Sequence, residues 1–380
     1  MSKRGLPAVI FDNGSGLFKA GLADEPAPTV IFPNITGKPT NPNMMVGMDQ
    51  KEIYVGPEAN EKKSHLTLSK PIKRGIIQDI DQMEKIWHYT YENELKVNPN
   101  ERPVLLTEPP LNDPKKREQL MEIFFEQFGV RQFYLAIQAV LGLFSTGRAT
   151  GLVLDSGAGV THTVPVYEGF ALPFATFKLN VAGDDLSKYL EQLLVQETNI
   201  TIKPDDITNR EAIEHIKEKI CYVAFDIDTS KKESDDKDKA ISYTLPDGQK
   251  FEIKKAHFSC PEALFTPSNI ENGEPEGIHD KAYASINKCE PDIHKHLYKN
   301  IVLIGGSTMF KGLGVRLRKE VSALAPSTMD IVLYEPLERK HSAWIGGSIL
   351  SSIDAFDNMW ITKADYMEGK NMSVVHKKCF

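Results

Sequence analysis

Cysteine is scarce in this sequence. The four present, Cys221, Cys260, Cys289 and Cys379, form no C-x-x-C pair and have no histidines beside them at zinc-finger spacing. That excludes a disulfide-held miniprotein and a structural zinc domain, and it predicts free thiols in a reducing compartment. Long apolar runs are missing too: the longest, Phe133 to Phe144, is interrupted by Gln138 and falls short of the roughly 20 residues a membrane helix needs. No transmembrane span or membrane insertion is expected. Met1 to Gly5 leads into a short strand-like run ending at Asp12, not into the long apolar core of a secretory signal, so a cytoplasmic location is expected. There is no basic excess either. Lysine plus arginine number 45 against 52 aspartates and glutamates, for a net charge of −7, which offers no general attraction to nucleic acid or anionic membrane. An anionic ligand must be held locally. Finally, no G-x-x-x-x-G-K-S/T, H-E-x-x-H, EF-hand loop or G-x-S-x-G occurs. P-loop, zincin and serine-hydrolase chemistries fall away.

What is present is a chain of 380 residues, 41% hydrophobic and 26% charged. These are ordinary globular values, enough for about two or three domains. Short β-rich runs alternate with helical stretches, which predicts an α/β architecture. Ala8-Val9-Ile10-Phe11 runs into Asp12-Asn13-Gly14-Ser15-Gly16, and Gly151-Leu152-Val153-Leu154 runs into Asp155-Ser156-Gly157-Ala158-Gly159. Each turn is followed by another extended segment, Leu17 to Gly21 and Val160 to Val164. Each unit therefore reads as strand, loop, strand, and the near-copy predicts two related halves with a ligand cleft between them. A third run, Asn300 to Ile304, meets Gly305-Gly306-Ser307 and a helix-compatible stretch from Thr308. Pro33–Ser69 reads as an insertion, and Lys231–Lys239 and Pro267–Gly277 as solvated loops.

Glycine and serine in a hairpin turn let several backbone N–H groups aim at one point, where a phosphate can approach closely. Asp12 and Asp155, ending the preceding strands, would repel phosphate unless a cation intervened, and magnesium suits so few carboxylates because it keeps its water. One D-x-G-x-G could be mere turn chemistry; two copies at equivalent places argue for phosphate. Lys19, three residues after Gly16, is either a phosphate ligand or an ordinary exposed lysine. Gln138 reads as the single polar side chain of an apolar helix, facing the cleft to hold water or satisfied in the core. His162 is open between orienting water and a structural role. A dinucleotide fold is disfavoured, since Gly14 to Lys19 lacks a third glycine and opens no helix.

These residues, with Leu106-Thr107-Glu108, Gly159 to Gly169, Lys217-Glu218-Lys219, Cys221-Tyr222-Val223 and Trp344 to Leu350, resemble the actin family from Ala8 to the final Lys378-Cys379-Phe380. The resemblance implies the α/β actin/Hsp70/sugar-kinase ATPase fold, two related α/β domains around a nucleotide cleft with four subdomains. Residues 1–145 and 342–380 would form the outer domain with 34–70 inserted, and 146–341 the inner domain with 182–273 inserted. It implies ATP or ADP with Mg2+ (or Ca2+ in vitro). Gly14, Ser15, Gly16, Leu17 and Lys19 match the first phosphate loop; Gly157, Ala158, Gly159 and Val160, after Asp155, match the second. Asp12, Gln138 and Asp155 would hold the cation mostly through water. Gly183, Arg210, Lys217, Glu218, Gly306, Ser307, Met309, Phe310 and Lys340 would line ribose and adenine, and Gln138 and His162 would position the attacking water. Slow hydrolysis, faster in a filament, is implied.

The same resemblance implies self-assembly through a docking loop, Thr40 to Lys51 with Met44-Met45-Val46-Gly47-Met48, and a cleft near Phe144, Leu350, Ile353 and Met359 for profilin-like and gelsolin-like partners. Four departures stand out. Ala158 replaces an aspartate of the second loop, which puts nucleotide affinity in question, and Arg74 replaces a histidine near the phosphates. Asn269-Ile270-Glu271-Asn272 is more polar than the family's plug, and Lys3-Arg4 replaces an acidic N-terminus, which disfavours a myosin-like motor. A non-polymerising actin-related subunit and, more remotely, a small-molecule kinase of the same fold are the rival readings.

Overall fold

The computed structural model describes residues 5–40, 51–198, 200–201, 207–233, 240–368 and 372–380. The chain divides into two units, Met1–Thr150 with Val166–Pro173 and His341–Phe380, and Gly151–Pro165 with Phe174–Lys340. This differs from the expected boundaries chiefly at Val166–Pro173. That stretch joins the first unit because Gly169 N–H donates to Ala149 O at 2.7 Å and the Phe170 ring stacks on Phe380 at 4.8 Å.

The first unit is built on a six-stranded sheet. Strand β1 (Val9–Asn13) pairs antiparallel with β2 (Leu17–Leu22), which pairs antiparallel with β3 (Val30–Pro33). On its other side β1 runs parallel to β4 (Val104–Glu108), and β4 parallel to β5 (Gln132–Ile137). Parallel strands flanked on both sides are buried on both faces, which is why Val9 to Phe11 and Val104 to Leu106 are continuous apolar runs. Helix α1 (Ile80–Tyr89) starts where the Asp79 carboxylate accepts the Gln82 N–H at 3.0 Å, and it buries Met83, Ile86 and Trp87 along one face. Helix α2 (Pro114–Glu126) starts at Asp113 with proline in its first turn, and it buries Leu120, Met121, Phe124 and Phe125. Trp87 and Phe124 meet at 5.0 Å and Phe124 and Phe133 at 5.7 Å. Burial of each such ring contributes about 2–3 kcal/mol.

The apolar run at Phe133 is not one helix. Its first half is β5, in register with β4 from Phe133↔Val104 to Ile137↔Glu108, and helix α3 (Gln138–Phe144) takes the second half. Gln138 therefore opens a helix at the carboxyl end of a strand, a place that the apolar pattern on either side of it does not reveal. Against α3 lies the helix Ser342–Ser351, so close at Gly346 that a Cβ there would stand 1.8 Å from Leu141 O. Within the insertion Pro33–Ser69, Thr36–Pro39 pairs with both Tyr54–Val55 and Leu66–Ser69. Most of the methionine docking loop, 41–50, and Lys3-Arg4 lie outside the described residues.

The second unit repeats the plan. Strand β6 (Gly151–Ser156) neighbours β7 (Thr161–Tyr167), and β7 pairs antiparallel with β8 (Phe177–Leu179). On the other side β6 runs parallel to β9 (Ile301–Ile304), and β9 to β10 (Leu333–Tyr334). A hairpin plus third strand on one side of the lead strand, parallel strands on the other, is the order found around β1. Helix α4 (Gly183–Thr198) and helix α5 (Ile207–Lys219) belong to this unit. After β9 the chain makes a 3-10 turn, Gly306–Met309, and the helix starts only at Leu313, because Gly312 at φ 86° interrupts the run expected from Thr308. Lys231 to Glu233 end a helix that begins at Ile227, so only 234–239 of that charged stretch remains outside the described residues. Among the described residues no helix is long and apolar enough to cross a membrane.

Gly346→Ala should lower the unfolding free energy by about 1–3 kcal/mol or more, the cost of overpacking against backbone that cannot yield. Urea denaturation checks this; a midpoint equal to that of the parent protein would contradict the close-approach account.

Candidate functional site

In the first unit the loop between β1 and β2 is shaped by its own acceptors. Asn34 donates from Nδ2 to Gly14 O at 2.8 Å and from its backbone N–H to Gly16 O at 2.9 Å. Gly14 N–H closes the turn on Asp12 O at 3.1 Å, and a Cβ on Gly14 would meet Leu17 O at 2.5 Å. The Gly14 and Gly16 carbonyls are thus engaged, while among the described residues the N–H groups of Ser15 and Gly16 meet no protein acceptor. Such N–H groups form a concave donor edge suited to an anion.

Below that edge lies a buried polar cluster. Lys19 Nζ stands 2.7 Å from Asp12 Oδ2. Thr107 Oγ1 donates to Asp12 Oδ1 at 2.9 Å and accepts from the Asn13 N–H at 3.0 Å. Gln138 Nε2 reaches Asp12 Oδ1 and Thr107 Oγ1, both at 3.2 Å. Gln138 Oε1 meets no donor among the described residues, so its acceptor is available to water. Asn13 Oδ1 accepts from Trp87 Nε1 at 3.1 Å. Lys19 is therefore neither an exposed lysine nor unpaired. With both charges buried, removing either partner costs about 3–5 kcal/mol. The hairpin of Ile72–Lys73 and Ile76–Ile77 turns through Arg74 and Gly75, both at positive φ, and Gly75 N–H donates to Ser15 Oγ at 2.9 Å. Arg74 in that conformation carries strain of about 1–2 kcal/mol.

In the second unit the loop after β6 is held the same way. Gly157 O accepts from Gly183 N–H at 3.0 Å and Ser307 Oγ at 2.7 Å, and Ala158 O accepts from Asp184 N–H at 2.7 Å. Gly157 N–H closes on Val160 O at 3.1 Å. Among the described residues the N–H groups of Ala158 and Val160 meet no protein acceptor. Asp155, the last residue but one of β6, lies against Gly305, where φ is +89° and a Cβ would meet Ser156 O at 2.3 Å and Asp155 Oδ1 at 2.8 Å. A Cβ on Gly306 would meet open space. Lys217 is buried, donating to Gly183 O at 3.2 Å and Ser187 Oγ at 2.6 Å and pairing with Glu214. Ser307, Gly183 and Lys217 are thus brought to the loop. Arg210, Glu218, Met309 and Lys340 are exposed on the same unit, and Phe310 is buried. Leu17 is exposed at the start of β2.

His162, opposite Lys178 on β8, is buried, and burial first, then the Lys178 charge, pulls its imidazole down to about 4. It is neutral across the physiological range. Thr107, Asn13, Trp87, Asn34, Ser187 and Glu214 carry no sequence signal strong enough to single them out as site residues. Thr107 has a faint one, its place at the carboxyl end of a parallel strand where ligands of α/β folds gather.

The donors at hand fit a hydrated hard cation and a polyphosphate. They are carboxylate and amide oxygens with unpaired backbone N–H groups. Among the described residues no three His, Cys, Asp or Glu side chains converge to hold a metal outright. A family model described as Actin matches residues 4–380. The chain belongs to the actin family. As a family member it is an actin-like ATP-binding protein of the actin-like ATPase fold, and both hairpin loops fall inside the matched span.

Within this actin-family chain, Phe144, Leu350 and Met359 line a cavity of about 170 Å3 with Tyr134, Phe170, Phe356 and Phe380, all in the first unit. Ile353 does not line it and is exposed.

The His162 shift has a stability consequence. The unfolded chain takes up this proton below about pH 6.5 and the folded chain only below about 4, so folding stability falls as pH drops through that window. At pH 5 the loss is about 2 kcal/mol. His162→Gln should lose correspondingly less stability between pH 7 and pH 5 in chemical denaturation; parallel pH profiles would contradict the assignment.

Proposed function

We propose that this protein is a cytoplasmic, cytoskeletal ATPase that binds Mg-ATP, hydrolyses it slowly, and assembles head to tail into helical filaments in which hydrolysis is faster. The observation that carries this is the pair of topologically equivalent hairpin loops, each with carbonyls engaged from behind and N–H groups left for an anion, and each preceded by a strand with an aspartate as its last residue but one. Family membership supports ATP as the anion.

A bound magnesium ion would neutralise phosphate charge and order water, with Asp12, Gln138 and Asp155 as its outer-sphere holders. The N–H groups of Ser15 and Gly16 in one unit, and of Ala158 and Val160 in the other, bind phosphate oxygens. Lys19 shares its charge between Asp12 and the phosphates. Ser307 and Gly183 hold the second loop in shape, and Lys217, with Arg210, Glu218, Gly306, Met309, Phe310 and Lys340, serves the nucleoside. Gln138 orients the attacking water through Oε1. Neutral His162 accepts or donates a hydrogen bond to that water without carrying charge. No strong base is needed, because phosphoryl transfer depends on alignment and electrostatic stabilisation.

Assembly rests on the methionine loop around Met44 to Met48, since methionine side chains suit adaptable docking, and a contact that does not close on itself gives a filament. The cavity at Phe144, Leu350 and Met359 is the docking place proposed for profilin-like and gelsolin-like proteins. The polar Asn269–Asn272 segment, largely exposed, favours a second reading, a non-polymerising actin-related subunit of a larger complex.

Sedimentation and electron microscopy with Mg-ATP separate these readings: filaments are expected, and their absence across salt and nucleotide conditions would favour the second. Gln138→Ala should slow single-turnover hydrolysis on the order of a hundredfold and leave nucleotide affinity nearly unchanged. An unaltered rate would remove Gln138 from the water-positioning role.

A further inference from the structure

We propose that Thr107 is a positioning residue for ATP hydrolysis, fixing the Asp12 carboxylate and the Gln138 amide in one orientation; this rests on the nucleotide reading above. A threonine hydroxyl has one proton to give and two lone pairs to receive with. At Thr107 all three are used. The Asn13 N–H at 3.0 Å and Gln138 Nε2 at 3.2 Å are both donors, so the hydroxyl proton has only Asp12 Oδ1, at 2.9 Å, to go to. That direction is forced by the partners.

The consequence is a fixed triangle. Asp12 is held at Oδ1 by Thr107 and at Oδ2 by Lys19, so its carboxylate cannot rotate. Gln138 is held by Nε2, which sets the amide plane and leaves Oε1 as the free acceptor. Thr107 itself sits on β4, between β1 and β5 and paired with Ala136 across to β5. It is therefore anchored on a central, fully buried strand of the sheet, and it needs no contact with nucleotide to act. Residues that orient the direct ligands of a metal or a water behave this way, and their loss typically costs roughly ten- to a hundredfold in activity.

Trp87 supplies a readout that does not depend on turnover. Its indole N–H donates to Asn13 Oδ1, and the Asn13 backbone N–H donates to Thr107 Oγ1. The test compares Thr107→Val, which keeps the shape and loses the hydroxyl, with Thr107→Ser, which keeps the hydroxyl. Both are measured by single-turnover ATP hydrolysis, nucleotide affinity and the indole N–H resonances of the full-length protein, with Trp87 assigned through Trp87→Phe.

For Thr107→Val, hydrolysis is expected to fall roughly ten- to a hundredfold, with affinity largely kept and the Trp87 indole resonance shifted. Thr107→Ser is expected to restore both rate and resonance. Should the valine protein fail to fold, Thr107→Cys, similar in volume and a weak hydrogen-bonder, replaces it with the same expectations. A valine or cysteine variant that hydrolyses ATP at the parent rate, or a serine variant as slow as valine, overturns the proposal. A parent protein that binds no nucleotide overturns the reading beneath it, which is a different result.

Discussion

The ion pair of Lys19 with Asp12, 2.7 Å long and closed off from solvent, is the constraint from which the first unit's chemistry follows. A carboxylate can be kept charged in the interior only if its lone pairs are matched. Here Lys19, Thr107 and Gln138 match them. The matching partners come from three places in the chain: the outgoing strand of the hairpin, the neighbouring parallel strand, and the helix that follows the next one. Satisfying one charge therefore ties β1, β2, β4 and α3 to a common point. The aromatic core under this point, with Phe11, Phe18, Trp87 and Phe124, makes the sheet stiff enough to hold it.

The second unit reaches the same end with different residues. Its loop is braced by the first two N–H groups of α4 and by Ser307, where the first loop is braced by Asn34. In both, carbonyl oxygens are occupied from behind. That matters more than glycine content, because a loop with free carbonyls would repel phosphate as readily as its N–H groups attract it. Ala158, standing where the family resemblance expects an aspartate, leaves this bracing intact, since it uses only its backbone oxygen.

Much of this architecture is legible in the amino-acid sequence. The two hairpins announce themselves through apolar runs ending at aspartate and breaking at glycine, and those features dictate both strand ends and turn. Other parts are not legible there. Phe133 to Phe144 carries no glycine, proline or capping residue at the strand–helix junction, so the position of Gln138 at a helix start depends on pairing with β4. Thr107 looks like any threonine near a strand end; its role exists only because Asp12 and Gln138 arrive beside it from elsewhere. Lys19 can be placed on the outgoing strand, but its carboxylate partner is a product of the antiparallel register Asp12↔Lys19. Ile353 shares the apolar character of Leu350, yet faces outward because the turn Asp354–Asn358 begins immediately after it. Val166–Pro173 crosses to the first unit through tertiary contacts that no local signal encodes.

The proposed function requires adenine nucleotide to bind together with a divalent ion. Isothermal titration of adenine nucleotides into purified, folded protein measures that directly. Saturable binding of one ATP per chain in excess Mg2+, weakened when the metal is chelated, is the predicted result. A folded protein that shows no heat of binding for ATP or ADP at any magnesium concentration would contradict it.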